Sequence, residues 1–342
     1  MPIMQPAKNI KKMIVLSLLV GSVGALPVLG LAAAVNPYST VKTVQLSGEA
    51  EQQYIADKTT AVFSAANAAP RNLDPAKYVV PKGWKQEVLK MNGVSVEKYT
   101  PVKKTNRTVF FIHGGGYVGA LHDRYRDWGI HQGELACNAT VLELDYRVAP
   151  AHLYPAALDD AVKAYTGLLQ AGYDPSRMVL IGDSAGGNLA SALAVYLRDH
   201  KIPMPQSIVL ISPWTYMGNG IPSHKNNFTK DQILGQKNTR LVKEIEDPTY
   251  PKGGDVTDPY LSTAYADLTG LPPMLITAGG NELLLDDAAL LAAHAKAAGV
   301  TVQFTIYPGM SHDWTILLPE RPESKAMNQE IAKFIQTYSK QH

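Results

Sequence analysis

From Thr108 onwards, short and continuously apolar segments alternate with longer segments that have a helical spacing of apolar residues. A strand that is apolar on both faces is typical of a parallel sheet covered by helices, and its alternation with helices is typical of an α/β domain. Before them, two segments flank the turn Asn92-Gly93 and predict an antiparallel hairpin. The apolar segments are TVFFIH, TVLELDY, MVLIGD, SIVLIS, PMLITA and VQFTIY.

The N-terminus has the pattern of an export signal. Three lysines precede a long uncharged and apolar stretch, and the small residues Ala32-Ala33-Ala34 offer a cleavage site after Ala34. We therefore expect residues 1–34 to be a signal peptide and the mature protein to be periplasmic or secreted. The alternative is an uncleaved membrane anchor through residues 13–35, because about twenty apolar residues can span a bilayer.

The rest of the chain divides into a leading segment and one large domain. Residues 35–80 are assigned to a tether and an N-terminal cap segment, because a weakly periodic helical stretch there has the character of a covering element. Residues 81–342 form the α/β domain. Within that domain, residues 213–250 are polar and irregular and interrupt the alternation, which predicts a cap excursion over the edge of the sheet.

Composition excludes several classes of partner. The formal charge of +2 has no basic run behind it, so no nucleic-acid footprint is visible. The one cysteine, Cys137, cannot form an internal disulfide. None of the nine histidines belongs to a compact metal-binding pattern such as H-E-x-x-H, and we infer no metal and no cofactor. Membrane contact is expected only if the N-terminal segment stays uncleaved.

A serine follows the third of the apolar segments. The sequence runs from MVLIGD into Gly182-Asp183-Ser184-Ala185-Gly186 and then into an alanine-rich helical segment. The G-x-S-x-G spacing has a physical reason: a serine exposed at a strained strand-to-helix turn needs neighbours with almost no side chain. The beginning of the helix also points backbone N–H groups at the site. Ser184 is therefore a candidate nucleophile.

A glycine run follows the first apolar segment and fits two motifs. Gly114, Gly116 and Gly119 match G-x-G-x-x-G, the dinucleotide-binding fingerprint. That motif requires a helix packed through small residues immediately afterwards and an acid about 20 residues on, and neither is well placed here. The second motif, beginning at His113, is the H-G-G-G loop that donates a backbone N–H to an oxyanion in esterases. An esterase uses such a loop together with a nucleophilic serine, and Ser184 lies downstream. A nicotinamide-binding site would give that serine no role, so the H-G-G-G interpretation is preferred.

Taken together, HGGGY, DYRVAP, GDSAGG, DPYLS, LPPMLITAGGNELLLDD and YPGMSHDW resemble the hormone-sensitive-lipase-like (family IV) esterases of the α/β-hydrolase fold. The resemblance covers roughly residues 80–340, with the motifs in the family order. It implies an α/β fold with a mostly parallel, eight-stranded sheet flanked by helices. It also implies a helical cap and a serine–acid–histidine triad.

The resemblance implies a role for each matching residue. Ser184 corresponds to the nucleophile and His312 to the general base, while Gly114, Gly115 and Ala185 correspond to the oxyanion-hole donors. His312 also follows the last apolar segment, so that the chain order Ser, acid, His fits an α/β-hydrolase. His113 is expected to support the glycine loop rather than to act on substrate.

Three carboxylates lie close together where the sequence predicts the catalytic acid. The family places Asp-Pro-Leu where this chain reads Glu282-Leu283-Leu284, so Glu282 falls at the catalytic position with the longer side chain. Asp286 lies one helical turn later and shares a face with Glu282, which leaves it as the alternative acid. Asp286 and Asp287 are also explained as first-turn acids that complement the helix dipole. We select Glu282.

The resulting prediction is a carboxylesterase that cleaves short- to medium-chain acyl esters of small molecules through a Ser-His-Glu triad. A lactonase, an amidase or a peptidase would use the same triad, and these alternatives stay open. A non-catalytic receptor on the same scaffold is disfavoured, because Ser184, His312 and an acid are all present. Five aromatic residues are candidates for the substrate pocket, with an ordinary place in the core as the alternative for each: Tyr117, Trp214, Tyr216, Phe228 and Trp314.

Overall fold

The computed structural model describes residues 35–68, 71–218, 220–235 and 239–338. The predicted signal peptide and membrane anchor lie outside the described residues, apart from Val35 at the end of the anchor range. Everything described belongs to a single compact unit that begins at Ala34. Within this part of the chain, no helix combines the length and the apolar character needed to cross a membrane.

An eight-stranded sheet forms the centre of the described structure, in the order β1-β2-β4-β3-β5-β6-β7-β8. β2 pairs antiparallel with both β1 and β4, and all other neighbours are parallel. This is the predicted sheet. The strands are β1 (Trp84–Met91), β2 (Val94–Pro101), β3 (Thr108–Ile112), β4 (Thr140–Asp145), β5 (Met178–Asp183), β6 (Ser207–Ile211), β7 (Met274–Gly279) and β8 (Val302–Tyr307).

Helices cover both faces of this sheet. Strands β3, β5, β6 and β7 are buried along their whole length, which explains why their sequences are continuously apolar. The hairpin turn was also predicted correctly: Asn92 and Gly93 both have positive φ, at 48° and 88°, as a two-residue turn between antiparallel strands requires. The helices are α1 (Gly48–Ala68), α2 (Asp123–Leu135), α3 (Ala156–Gln170), α4 (Ser184–Asp199), α5 (Pro222–Asn226), α6 (Thr239–Glu246), α7 (Leu285–Ala297), α8 (Trp314–Leu317) and α9 (Pro322–Tyr338).

The segment before α1, which the sequence assigns to a tether, is held against the body of the protein. Asn36 and Tyr38 are buried. The Tyr38 hydroxyl donates to the carbonyl of Ile316 at 3.1 Å, and its ring lies 5.0 Å from that of Trp128. Further along, the N–H of Val44 donates to the carbonyl of Glu320. One buried tyrosine among polar neighbours leaves no periodic signal, so the sequence alone did not predict these contacts.

The excursion between β6 and β7 carries the two short helices α5 and α6. Asp231, between them, is buried and accepts the N–H groups of Ile233 and Leu234. Its other carboxylate oxygen accepts the N–H of Leu283 at 2.8 Å. A residue of this excursion is therefore bonded directly to the loop that follows β7.

Candidate active site

Ser184 lies at a sharp turn between β5 and α4. Its φ is +53°, a conformation that costs a non-glycine residue free energy and is concentrated at functional sites. The flanking glycines are required by space. A Cβ atom on Gly182 would overlap the carbonyl of Gly186, and one on Gly186 would overlap the carbonyls of Ile112 and His113. The G-x-S-x-G spacing therefore reflects backbone segments that pass too close for any side chain.

His312 lies in the loop after β8 and faces this serine. Its Nε2 atom is 2.9 Å from Ser184 Oγ, which is the distance expected between a nucleophile and its general base. Both side chains are buried. The N–H of Trp214 donates to the carbonyl of Ser184 at 3.0 Å, so the loop after β6 holds the serine from the other side.

Glu282 is the acid nearest to the second nitrogen of His312. Its Oε2 atom lies 3.5 Å from His312 Nδ1 and accepts the hydroxyl of Ser212 at 2.6 Å. Burial raises the pKa of Glu282 to about 7, and the hydrogen bond and charge of His312 oppose that rise. The separation from Nδ1 is longer than an ordinary hydrogen bond, and a small approach of the two groups would form one.

The neighbouring acids have different partners. Asp286 and Ser223 bond reciprocally, with each backbone N–H donating to the other side chain. Asp287 is buried and lies 2.8 Å from Nε2 of His224. Both acids therefore connect α7 to the start of α5. The structure brings Glu282, and not Asp286, to His312.

Two further carboxylates near His312 were quoted in the sequence motifs without being given a role. Asp313 has φ +46°, and this left-handed turn directs its Oδ2 to within 3.0 Å of His312 Nε2. Asp183 is buried directly before Ser184. Burial, and after it the charge of Asp313, raises the pKa of Asp183 well above its usual value. The only sign of these two residues in the sequence was their position: Asp183 directly precedes the nucleophile, and Asp313 directly follows the base.

The glycine loop lies against the serine, but one assignment within it needs correction. The N–H of Gly114 donates to Asp183 Oδ1 at 3.1 Å, so it is already engaged and was wrongly assigned to the oxyanion hole. A Cβ atom on Gly114 would lie 3.0 Å from Ser184 Cβ. Gly115, with φ +107°, has an N–H without a partner among the described residues. The N–H of Ala185 lies in the first turn of α4, where no helical acceptor is available.

His113 stabilises the start of this loop. Its ring is stacked on that of Tyr146, with the centroids 4.4 Å apart, and its Nδ1 lies 2.8 Å from the carbonyl of Gly114. The Tyr146 hydroxyl donates to the carbonyl of His113 at 2.8 Å. Burial lowers the pKa of His113 to about 4, so the imidazole is neutral near pH 7. These contacts are structural, as expected.

Of the aromatic pocket candidates, three are buried. The ring of Tyr117 is stacked on Tyr250 at 4.1 Å. Trp214 packs in the same hydrophobic cluster as Tyr117. Trp314 packs instead in a separate cluster on the other side of the sheet, 5.0 Å from the ring of Tyr307. Trp314 is therefore a core residue, and its assignment to the pocket was wrong.

The other two candidates line surface depressions near the cap. Tyr216 forms an edge-to-face pair with Tyr265 beside a shallow depression of about 440 Å³ that Asp286 also lines. Phe228 lines a smaller cavity of about 60 Å³ together with Val242 of α6. No cluster of three or more potential metal ligands occurs within the described ranges.

A nucleophile at a strand-to-helix turn, a facing histidine and a glycine loop at the ends of parallel strands define the class of α/β-hydrolases. Residues 109–316 match the family described as the alpha/beta hydrolase fold. A crystal structure of an esterase from the bacterial hormone-sensitive lipase family superimposes with a TM-score of 0.75 at 34% identity, covering 86% of this chain and 100% of the other.

Two relatives of this chain are named for the hydrolysis of esters. An acetyl-hydrolase of Streptomyces hygroscopicus is 36% identical over 291 residues, covering 85% of this chain and 91% of the relative. An esterase of Acinetobacter venetianus is 31% identical over 254 residues, covering 72% of this chain and 80% of the relative. The chain belongs to the hormone-sensitive-lipase-like esterases, and its enzyme class is carboxylesterase.

Proposed function

We propose that this carboxylesterase cleaves its ester by two-step acyl transfer, with Ser184 as nucleophile, His312 as general base and Glu282 as the acid that orients the histidine. The observation that carries the proposal is the 2.9 Å contact between Ser184 Oγ and His312 Nε2 at a strained turn. Glu282 is preferred to Asp286 because its carboxylate lies 3.5 Å from the opposite nitrogen of the same ring.

The first step begins with neutral His312. Its Nε2 takes the hydroxyl proton of Ser184 while Oγ attacks the ester carbonyl carbon, and Glu282 stabilises the imidazolium through Nδ1. The tetrahedral intermediate collapses as His312 returns the proton to the alcohol oxygen, which leaves an acyl-serine. In the second step His312 removes a proton from water as the water oxygen attacks the acyl carbon. The second tetrahedral intermediate collapses as His312 returns that proton to Ser184 Oγ, which releases the carboxylic acid and regenerates the serine.

The negative oxygen of each tetrahedral intermediate needs fixed donors. We assign this task to the N–H groups of Gly115 and Ala185, which have no acceptor in the described structure. Removing one such donor typically costs about 10²- to 10³-fold in turnover. Gly114 contributes indirectly, because its bond to Asp183 Oδ1 fixes the loop that carries Gly115.

The proposed substrates are short- to medium-chain acyl esters of small alcohols. Acetate is the first acyl group to examine, because a relative that shares 36% identity is named an acetyl-hydrolase. Tyr117 follows the glycine loop and the Trp214 N–H donates to the Ser184 carbonyl. Both side chains are buried in one hydrophobic cluster, which favours small acyl groups. Amides and lactones remain alternative substrates of the same residues.

We also propose that residues 1–34 direct export and are then removed, on the basis of the three lysines, the apolar stretch and the alanines before Val35. Mass spectrometry of the protein recovered from the medium or the periplasm tests this proposal. A mature chain that begins at Val35 supports it, whereas an intact N-terminus in the membrane fraction supports the anchor.

The proposed reaction is tested with p-nitrophenyl esters from acetate to palmitate, using the chain from Val35 onwards beside its Ser184→Ala variant. The parent should cleave the shorter esters and the alanine variant should not. If the parent cleaves no ester but cleaves lactones or amides, the substrate class is wrong. If Ser184→Ala keeps the parent activity, the nucleophile is wrong.

A further inference from the structure

Two oxygen atoms compete for one nitrogen of His312. Nε2 is 2.9 Å from Ser184 Oγ and 3.0 Å from Asp313 Oδ2. A general base needs a free lone pair on Nε2, because it must receive the serine proton. An ionised carboxylate can only accept hydrogen bonds, so its close approach to Nε2 is favourable only when that nitrogen carries a proton.

We propose that Asp313 is a positioning residue of the proposed reaction: it holds a proton on Nε2 of His312 and thereby sets the pH at which Ser184 becomes nucleophilic. When the proton is released to solvent, the lone pair of Nε2 becomes available to the hydroxyl of Ser184. The inference rests on the proposed roles of Ser184 and His312.

The surroundings strengthen this interaction because they exclude water. His312 is 3% exposed and Asp313 is 8% exposed, so their attraction is weakly screened. The Oδ1 atom of Asp313 is buried and has no hydrogen-bond partner among the described residues, which leaves His312 as the main neutralising group for this carboxylate.

Three other acids lie near the same imidazole, but at other atoms. Glu282 approaches Nδ1, and Asp231 accepts the backbone N–H of His312 at 3.5 Å. Asp183 directly precedes the serine in the chain, and its pKa responds to the charge of His312. Burial raises the pKa of all three carboxyl groups. Asp313 alone among these acids contacts Nε2, the atom that must lose its proton.

Burial and the neighbouring carboxylates act on the pKa of His312 in opposite directions. Burial by itself lowers the pKa of His312, but the charge and hydrogen bond of Asp313, followed by those of Glu282, outweigh burial and raise the pKa well above its usual value. The base form of His312 therefore appears only at higher pH. Removing the charge of Asp313 should make that form available at lower pH.

The test compares kcat/KM between about pH 5 and pH 10 for the parent, Asp313→Asn and the control Asp255→Asn. Asparagine tolerates the left-handed backbone at position 313. The exposed Asp255 carboxylate bonds Thr257 and no residue of the triad. We expect the acidic limb of Asp313→Asn to move down by about one pH unit or more, since a close opposite charge typically shifts a pKa by about one to three units. The control Asp255→Asn should keep the parental acidic limb, with plateau kcat and KM within about threefold of the parent.

Two results would overturn the proposal. An acidic limb at the parental pH in Asp313→Asn would mean that the carboxylate does not hold the proton. A collapse of kcat at every pH without a shift, repeated in Asp313→Gly, would mean that the side chain is needed only for structure.

A second readout separates this inference from the choice of substrate. Ser184 phosphonylation by an alkyl fluorophosphonate requires the same activated oxygen but no ester turnover. If the parent is phosphonylated yet cleaves no ester, the proposed substrate class fails, and the pH midpoint of labelling still decides the role of Asp313. A lower midpoint in Asp313→Asn supports that role, and an unchanged midpoint contradicts it.

Discussion

Replacing Glu282 by glutamine isolates the contribution of one negative charge to the reaction. Glutamine has nearly the same shape and keeps an acceptor for the Ser212 hydroxyl, which now bonds Glu282 Oε2 at 2.6 Å. At the observed separation of 3.5 Å, an imidazolium and a carboxylate attract each other by about 5 kcal/mol for an effective dielectric constant of about 20. That attraction acts when the imidazolium forms, which is in the transition state.

The expected consequence is a loss in kcat with little change in KM, because the interaction is absent from the neutral ground state. The corresponding Asp→Asn change in serine proteases lowers kcat by about 10⁴. The longer contact here leads us to expect a loss of about 10³- to 10⁴-fold. The assay is steady-state hydrolysis of p-nitrophenyl acetate and butyrate at the alkaline plateau.

Asp286→Asn provides the matched control, because this acid lies four residues after Glu282, in the first turn of α7, but bonds Ser223. It should keep kcat within about threefold of the parent, with at most a small loss of stability from the weakened link to α5. The reasoning would be refuted if Glu282→Gln kept more than about a tenth of the parental kcat. It would also be refuted if Asp286→Asn showed the larger loss.

Three further changes test other parts of the account. Gly114→Ala should lower kcat by about 10²-fold or more, because the new Cβ would displace the loop that carries the Gly115 donor. Gly116→Ala, whose Cβ would meet only Val118 Cγ2 at 3.9 Å but whose φ is +65°, should cost mainly stability. Glu143→Gln should stabilise the protein at alkaline pH, because burial raises the pKa of Glu143 well above its usual value. Tyr38→Phe should cost about 0.5–1.5 kcal/mol of unfolding free energy through loss of the bond to the Ile316 carbonyl.

The sign of the Glu143 effect follows from linkage. The unfolded side chain ionises above about pH 4.3, while the buried side chain stays protonated, so the native state loses up to about 1.4 kcal/mol per pH unit in this window. Urea unfolding at several pH values should show that the free energy of unfolding of Glu143→Gln exceeds that of the parent by an amount that grows as the pH rises from acidic values. A difference in unfolding free energy that stays constant or narrows would contradict the Glu143 prediction. Parental stability in Tyr38→Phe, or parental kcat in Gly114→Ala, would contradict the other two predictions.

The parallel strands could be predicted from the sequence because burial on both faces leaves continuous apolar runs such as MVLIGD. The serine turn could be predicted for a related reason. Its flanking residues, Gly182 and Gly186, meet backbone carbonyls so closely that only glycine fits. In both cases a local steric requirement restricts the residue types at fixed positions, and the pattern is visible without the fold.

Other parts of the site depend on distant contacts that leave no local pattern. The bond from the Gly114 N–H to Asp183 joins residues 69 positions apart, and it changed the assignment of the oxyanion donors. Asp313 reaches its neighbour His312 only because its own backbone is left-handed, a conformation that the letters SHDW do not specify. Trp314 was misassigned because proximity in sequence to His312 does not reveal on which side of the sheet a side chain packs.

The most direct test of the central claim is the site of covalent labelling by an alkyl fluorophosphonate, read by peptide mass spectrometry in the parent and in His312→Ala. We predict a single phosphonyl adduct on Ser184 in the parent, and a labelling rate at least about 10³-fold lower when the general base is absent. An adduct on another residue, or unchanged labelling of Ser184 in His312→Ala, would contradict the account.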